Sequence, residues 1–305
     1  MDIYREVLEI WGLEFQSTVE ADIYGAPSRM AGRAVVLDKK GDRYLVEKHH
    51  FWNLEKKRKI AENIDIINNA GFKECTPYLK NRDGLSVCEF RNRAWMVQPF
   101  IKNDKLKRPH YLNDGEMGEK AAETLLQLYE VTKNLKMNDM LPGFSLAEHT
   151  GNLILKIERS YPEIQNEIKD VIDIVEEILR KPDIGSRSLF CHGDYHPLNI
   201  LWREKTPVSV IDWEFSGYRH PLTDIANIVG CAGFESWDAF DREFVKNFLQ
   251  TIKFNKLFKH YKFEEFIRFI LLFRFSGWLN EWMNDRDTGM MDREMKYLRK
   301  LAGML

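Results

Sequence analysis

The chain has 305 residues, enough for roughly two domains, and its 44% hydrophobic and 30% charged residues exclude a disordered chain. Its 45 basic and 47 acidic side chains give a formal charge of −2, without the basic excess typical of a nucleic-acid-binding surface. The four cysteines lack the short spacings of zinc sites and disulfide frameworks, which favours a reducing, cytoplasmic location.

The first hundred residues are predicted to form mostly strands, because turn residues separate short alternating or apolar runs. The predicted strands cover residues 14–23, 33–38, 43–48, 84–91 and 94–99. In the third strand Leu45 and Glu47 share one face, and Val46 and Lys48 share the other, because successive side chains alternate. A helix over residues 54–70 separates the third strand from the fourth.

The rest of the chain is predicted to be mainly helical, after a polar connector at residues 102–109. The predicted helices cover residues 116–134, 167–180, 222–231, 238–251, 263–283 and 293–301. A strand-rich insert at residues 188–215 interrupts them. We therefore predict an α+β fold with two lobes. The N-terminal lobe, residues 1–101, holds a small antiparallel sheet and one helix, and the C-terminal lobe, residues 102–305, is larger and mostly helical.

The sequence predicts neither a targeting segment nor a membrane span. Its N-terminus has no basic region followed by an apolar run, as a signal peptide would have. The most apolar stretch, residues 266–279, is interrupted by Arg268 and Arg274 and falls short of the ~20 apolar residues that a span needs. We expect a cytoplasmic protein that binds neither membranes nor nucleic acid.

The residues that indicate chemistry lie in the insert, where residues 191–202 read CHGDYHPLNILW and residues 209–215 read SVIDWEF. Phosphoryl transfer needs a carboxylate that orients the attacking hydroxyl, oxygen ligands for magnesium and a cation on the phosphates. Asp194 can supply the first, and Asn199 can offer its amide oxygen to the metal. Asp212 ends a predicted strand, where its carboxylate can bind magnesium that bridges nucleotide phosphates. Hard oxygen ligands without a thiolate or imidazole cluster suit Mg²⁺.

These residues resemble the motifs of the aminoglycoside phosphotransferase and choline kinase superfamily. The similarity covers residues 192–194 (HGD), Asn199, residues 211–214 (IDWE) and residues 217–226 (GYRHPLTDIA). That superfamily has a bilobal fold similar to protein kinases, with the nucleotide between the lobes. The resemblance implies a magnesium-dependent small-molecule kinase. Such an enzyme moves the terminal phosphate of ATP or GTP to a hydroxyl of an amino alcohol, sugar or aminoglycoside-like compound.

The resemblance also implies roles for residues around the transferred phosphate. Asp194 matches the catalytic base, and Asn199 and Asp212 match the metal ligands. Glu214 matches a position that assists a second metal ion or orients the loop. Asp224 resembles the acidic residue on the following helix that steadies the catalytic loop. His192 is expected to support the site by hydrogen bonding, because no third metal ligand stands near it.

Nucleotide-binding residues are implied in the first hundred residues. Lys48 stands at the position of the phosphate-binding lysine, and Glu62 resembles its helix partner, with Glu55 as a rival. The backbone expected to bind the adenine belongs to Gln98, Phe100 and Ile101. The phosphate-covering loop, residues 24–32, departs from the family pattern because it is not glycine-rich, although Ser28 can still contact phosphate.

The acceptor is expected to bind against the C-terminal helices, where acidic and aromatic side chains can hold a cation by charge and cation–π contact. The candidate residues are Asp238, Trp278, Glu281, Trp282 and Asp285. Three alternatives remain: a catalytically silent nucleotide-binding protein, a protein Ser/Thr kinase and an aminoglycoside resistance enzyme. Against the protein kinase, the segment between Asp212 and His220 is too short for an activation segment.

Overall fold

The computed structural model describes residues 3–23, 31–181, 188–285 and 288–305. The contacts between its residues group the chain into two units, each discontinuous in sequence. The first unit contains Met1–Lys105, Asn134–Met140 and Leu198–Glu214. The second unit contains Leu106–Lys133, Leu141–Pro197 and Phe215–Leu305. The division predicted at residue 101 was a single cut, and it stays a prediction.

An antiparallel five-stranded sheet forms the centre of the first unit, in the order β1-β2-β3-β5-β4. Its strands are β1 (Phe15–Val19), β2 (Gly32–Asp38), β3 (Arg43–His50), β4 (Val87–Phe90) and β5 (Arg93–Pro99). The predicted small antiparallel sheet is therefore confirmed. Helix α2 (Leu54–Asn69) follows β3, as the apolar spacing predicts.

Helix α1 (Ile3–Ile10), which the sequence analysis did not predict, covers one face of this sheet. Its Val7 and Leu8 are fully buried in a cluster with Val46 of β3 and Trp95 of β5. Burying each such aliphatic side chain is worth about 1.5–3 kcal/mol relative to leaving it exposed. The signal for this helix is the apolar spacing from Ile3 to Val7 and Ile10, which fits one helical face.

Helix α2 packs on the opposite face, where Ala61 joins Ala94 and Met96 of β5 in a second cluster. Its Asn63 is fully buried and binds the Asn138 backbone twice, donating to the carbonyl oxygen and accepting from the N–H, both at 2.9 Å. These paired bonds tie Asn134–Met140 to the first unit.

A two-stranded hairpin, β7 (Ile200–Arg203) with β8 (Thr206–Val210), completes the first unit. Its turn residues, Glu204 and Lys205, both have positive φ (47° and 66°), as a tight hairpin turn of the primed type requires. At its other end the Val210 N–H donates to the Glu74 carbonyl at 2.6 Å, which anchors the hairpin.

The second unit is mainly helical, as predicted. Its helices are α3 (Gly115–Thr132), α4 (Leu146–Ser160), α5 (Pro162–Glu167), α6 (Lys169–Leu179), α7 (Thr223–Glu235), α8 (Glu243–Phe254), α9 (Phe263–Asp285) and α10 (Thr288–Ala302). The short strands β6 (Leu189–Cys191) and β9 (Gly217–Arg219) pair antiparallel within it. Across the described ranges, none of the helices combines the length and hydropathy that a bilayer span requires.

Helices α4 and α5 are a second element missed from the sequence. The start of α4 carried a readable signal, because Ser145 accepts a hydrogen bond from the Glu148 N–H at 3.2 Å. Serine followed by glutamate three residues later is the sequence pattern of a helix N-terminus.

Candidate active site

A pocket in the first unit lies against β3, β5, α2 and the β7–β8 hairpin. Its apolar walls come from Ile23, Leu45, Ile60, Ile64, Leu201 and Val210. The predicted hinge residues Gln98, Phe100 and Ile101 also line it. Its charged walls come from Asp22, Glu47, Lys57, Asp212 and Glu214. An apolar slot with few polar groups is the usual form of a small-ligand site.

The hinge segment leaves few backbone donors for a ligand. Pro99 has no N–H, and the Phe100 N–H donates to the Arg43 carbonyl at 2.9 Å. Ile101 follows on the pocket wall, and its predicted role in adenine binding stays a prediction.

The two predicted metal ligands, Asn199 and Asp212, flank the open end of the β7–β8 hairpin. Ile200 pairs with Val210, and the Ile211 N–H donates to the Asn199 carbonyl at 2.9 Å. Asn199 therefore lies opposite Ile211, the residue before Asp212, and Asn199 is buried. Asp212 itself has a φ of 66°, a left-handed conformation that non-glycine residues adopt at a cost and that concentrates at functional sites.

The Glu214 carboxylate lies between two lysines of α2. Lys57 Nζ contacts its Oε1, and Lys56 Nζ lies 2.8 Å from its Oε2. Burial would raise the pKa of Glu214, but the charge of Lys57 and the hydrogen bonds from both lysines outweigh burial and lower the pKa to about 2. Glu214 is therefore an ionised carboxylate on the pocket wall.

The oxygen donors of Asp212 and Glu214 on the pocket wall, with Asn199 at the start of the hairpin, fit Mg²⁺. Asn199 offers an amide oxygen, and Asp212 and Glu214 offer carboxylate oxygens, all of the hard type that Mg²⁺ prefers. The described residues contain no cluster of three or more His, Cys, Asp or Glu that could hold a metal alone.

Lys48 and Glu62 were predicted to form an ion pair, but each has a different partner. Lys48 points to the α1 face of the sheet, with its Nζ 5.7 Å from the Trp95 ring centroid. The exposed Glu62 accepts a hydrogen bond from Asn138 Nδ2 at 2.9 Å. Neither residue is on the described pocket wall, where the strand position facing α2 is occupied by Glu47. Ser28 lies outside the described residues.

Glu47 is held firmly on β3. The Tyr78 hydroxyl donates to its Oε2 at 3.1 Å, and His49 Nε2 lies 3.6 Å from the same oxygen. Burial would raise the pKa of Glu47, yet His49 and the charge of Lys57 hold it below its ordinary value. The pocket wall thus contains the ammonium group of Lys57 together with the carboxylates of Glu47 and Glu214. The sequence analysis did not select Lys57.

In the second unit, Asp224 of α7 holds the loop that carries Asp194. Its carboxylate accepts from the His192 N–H at 2.8 Å, the Gly193 N–H at 2.7 Å and the Tyr129 hydroxyl at 3.1 Å. Burial raises the pKa of Asp224 to about 6, although these donors act in the opposite direction. The arrangement fits the structural role expected of Asp224.

The backbone conformation of the loop that carries Asp194 requires glycine at position 193. Gly193 has a φ of 83°, and a Cβ there would overlap the Phe215 carbonyl. The Asp194 N–H donates to His192 Nδ1 at 3.3 Å, and Asn227 Nδ2 donates to Asp194 Oδ1 at 3.4 Å. His192 thus bonds within the loop, while Asp194 is partly exposed.

A second pocket, also within the second unit, includes Gly193, the neighbour of Asp194. Its walls are largely apolar and aromatic, from Leu141, Phe144, Leu146, Phe215, Phe269 and Phe273. The basic groups on its described wall are Arg219, His149 and His220, and no carboxylate is among the described lining residues. Burial lowers the pKa of His149, which favours its neutral form.

The residues predicted to hold a cationic acceptor do not line this second pocket within the described chain. Asp238 accepts from Arg242 Nε at 3.0 Å, so its charge is already paired. Trp278 is fully buried, Trp282 is nearly so, and Glu281 is exposed on the same helix. The side chain of Asp285 lies outside the described residues. Their role in acceptor binding stays a prediction.

Comparison with known proteins decides the family. The model of the phosphotransferase enzyme family matches residues 31–259, which is most of the chain. The chain belongs to the phosphotransferase enzyme family. The predicted family is thereby confirmed.

A curated relative of this phosphotransferase is the mouse protein acyl-CoA dehydrogenase family member 11. The two are 26% identical over 202 residues, which cover 64% of this chain and 25% of the mouse protein. The chain therefore spans about a quarter of the length of that relative.

Solved structures share the fold of this chain at low sequence identity. An aminoglycoside phosphotransferase from Alicyclobacillus acidocaldarius matches with a TM-score of 0.66 and 15% identity, covering 97% of this chain and 94% of the other. An amicoumacin kinase, solved with AMP-PNP, Ca²⁺ and Ami, matches with a TM-score of 0.64 and 14% identity, covering 99% and 93%. The predicted protein-kinase-like α+β fold is confirmed.

Proposed function

We propose that this phosphotransferase moves the terminal phosphate of magnesium-bound ATP or GTP to a hydroxyl of a small molecule. The observation that carries the proposal is the position of Asn199 and Asp212 at the open end of the β7–β8 hairpin, where the Ile211 N–H donates to the Asn199 carbonyl. Asp212 also lines an apolar pocket that includes the hinge residues. A nucleotide needs both features, one for its base and one for its phosphates.

In this mechanism Asp194 orients the acceptor hydroxyl and takes its proton. The hydroxyl oxygen forms a bond to the terminal phosphorus while the bond to the bridging oxygen of the nucleoside diphosphate breaks. Magnesium held by Asn199 and Asp212, with Glu214 near, would neutralise charge on the phosphates. Asp224 keeps the Asp194 loop in place by accepting from its backbone N–H groups.

The second pocket supports an uncharged, partly apolar acceptor over a polycation such as an aminoglycoside. Its described wall offers aromatic rings and the basic groups Arg219, His149 and His220, without a carboxylate to bind an ammonium group. Polycationic ligands require acidic walls, because opposite charges attract most strongly where water is displaced.

The test is phosphate transfer from labelled ATP and GTP, with Mg²⁺, to a panel of alcohols. The panel contains choline, ethanolamine, homoserine, thiamine, sugars, aminoglycosides and uncharged aromatic alcohols. Asp194→Asn should lower the rate by about 10²–10⁴-fold, the usual contribution of a positioned base. The exposed Asp292→Asn serves as a matched control and should retain the wild-type rate.

Three outcomes would contradict the proposal at different levels. Full activity in Asp194→Asn would remove that residue from the chemistry. Transfer to aminoglycosides alone would leave the kinase assignment and overturn the proposed acceptor class. A wild-type protein that binds nucleotide but transfers phosphate to no compound would favour the catalytically silent alternative.

A further inference from the structure

In the nucleotide pocket the acidic residue lies on the strand and the basic residue on the helix, which is the reverse of the pairing expected from the sequence. The expected pair joins a strand lysine, Lys48, to a helix glutamate, Glu62. On the described pocket wall, the strand instead contributes Glu47 and the helix contributes Lys57. Strand alternation explains why Glu47 and not Lys48 lies on the pocket wall, because the two residues are consecutive and point to opposite faces of the sheet.

Lys57 is unusual for a lysine in the first turns of a helix. It is 5% exposed, and it is the one cationic residue among the described residues of the pocket wall. Its Nζ contacts Glu214, and its charge also acts on Glu47. A buried ammonium group is costly unless acidic partners offset its desolvation, and here both partners are ionised carboxylates.

We propose that Lys57 is the cation that binds the nucleotide phosphates and that Glu47 positions it. This inference rests on the proposed function. Asp212 and Glu214 bring negative charge to the same pocket, so a bound polyphosphate needs a cation there. Glu47 suits the positioning role because the hydroxyl of Tyr78 fixes its carboxylate on the sheet.

The test measures affinity for Mg·ATP and for adenosine in the same variants, by titration calorimetry. Lys57→Met should weaken Mg·ATP binding by roughly 10- to 100-fold, the usual effect of losing one charged hydrogen bond. It should leave adenosine binding unchanged, because adenosine has no phosphates. Lys59→Met, an exposed lysine on the same helix, is the matched control and should change neither affinity.

Lys48→Met is the competing variant. If Lys48→Met loses Mg·ATP affinity and Lys57→Met does not, the inference is overturned. Equal losses for Mg·ATP and adenosine in Lys57→Met would also overturn it, because they would indicate a damaged pocket. If the wild type binds no nucleotide, the proposed function itself fails.

A charge exchange tests the role of Glu47. Glu47→Lys alone and Lys57→Glu alone each place like charges together, and both should lose Mg·ATP affinity. The double variant restores an opposite pair in reversed orientation and should recover at least tenfold over either single variant. A double variant as weak as the single ones, with adenosine binding intact, would overturn the positioning role of Glu47.

Discussion

Asp224 accepts three hydrogen bonds and yet has a raised pKa, because burial disfavours its charged form more than the donors favour it. The residue is fully buried, so solvent does not relieve this cost. Its titration therefore affects the free energy of unfolding as well as the site.

The stability of the protein should fall as pH rises through the titration of Asp224. The pKa is about 6 in the folded protein and 3.8 in the ordinary reference, so the folded state binds the proton more tightly. The contribution of Asp224 to the free energy of unfolding is complete below pH 3.8 and is lost as the pH rises to about 6. Its size is on the order of 3 kcal/mol. Urea unfolding of wild type and Asp224→Asn across this range measures it. A parallel pH profile in both proteins would contradict the assignment.

Sequence spacing alone was enough to select Asp194, Asn199 and Asp212 as candidates, because all three lie in one short segment, and their roles stay predictions. The structure places Asn199 and Asp212 at the open end of a hairpin that lies in the insert predicted to be strand-rich. Lys57 was missed because its position depends on which face of β3 is covered. That face is fixed by α1, a helix absent from the sequence prediction.

At the scale of elements, α3 and α8 approach each other where α3 has no side chain. Gly118 faces the Phe244 backbone of α8, and a Cβ at Gly118 would overlap the Phe244 carbonyl. Gly151 in α4 has open space around the position of a Cβ. Substituting alanine at each glycine therefore distinguishes the effect of helix propensity from the effect of helix packing.

Gly118→Ala should destabilise the protein by about 1–3 kcal/mol, because the added methyl forces the helices apart. Gly151→Ala should stabilise it by about 0.5–1 kcal/mol, since alanine is the better helix former. Chemical unfolding of both variants measures the contrast. Similar effects in the two would show that α3 and α8 do not pack as described.

Element boundaries were predicted best where apolar periodicity was long. The predicted ranges for α2, α3 and α9 lie close to Leu54–Asn69, Gly115–Thr132 and Phe263–Asp285. The short α1 and α5 were missed, because a helix of about two turns presents too few apolar positions for its period to be recognised. The 15-residue α4 was missed as well, although Ser145 gave a readable signal for its start.

At the scale of the whole molecule, a ligand that binds only the folded chain should raise its melting temperature. Mg·ATP at a hundred times its Kd contributes about 2.7 kcal/mol. For a chain of this size, this corresponds to a rise of about 3–6 °C. Thermal unfolding with Mg·ATP, and with ATP and EDTA, measures the effect. Equal shifts with and without the metal would contradict the roles of Asn199 and Asp212.

The discontinuity of the first unit has a consequence for synthesis on the ribosome. Met1–Lys105 emerges first, but Leu198–Glu214, which supplies Leu201, Val210 and Asp212 to the pocket wall, belongs to the same unit. Roughly a hundred residues separate these segments, and translation at about 5–20 residues per second covers them in roughly 5–20 s. During this interval Ile60 and Ile64 lack the hairpin residues that line the same pocket. We expect the nascent first unit to be a substrate for chaperones, and a message truncated before Glu214 cannot encode the complete pocket wall.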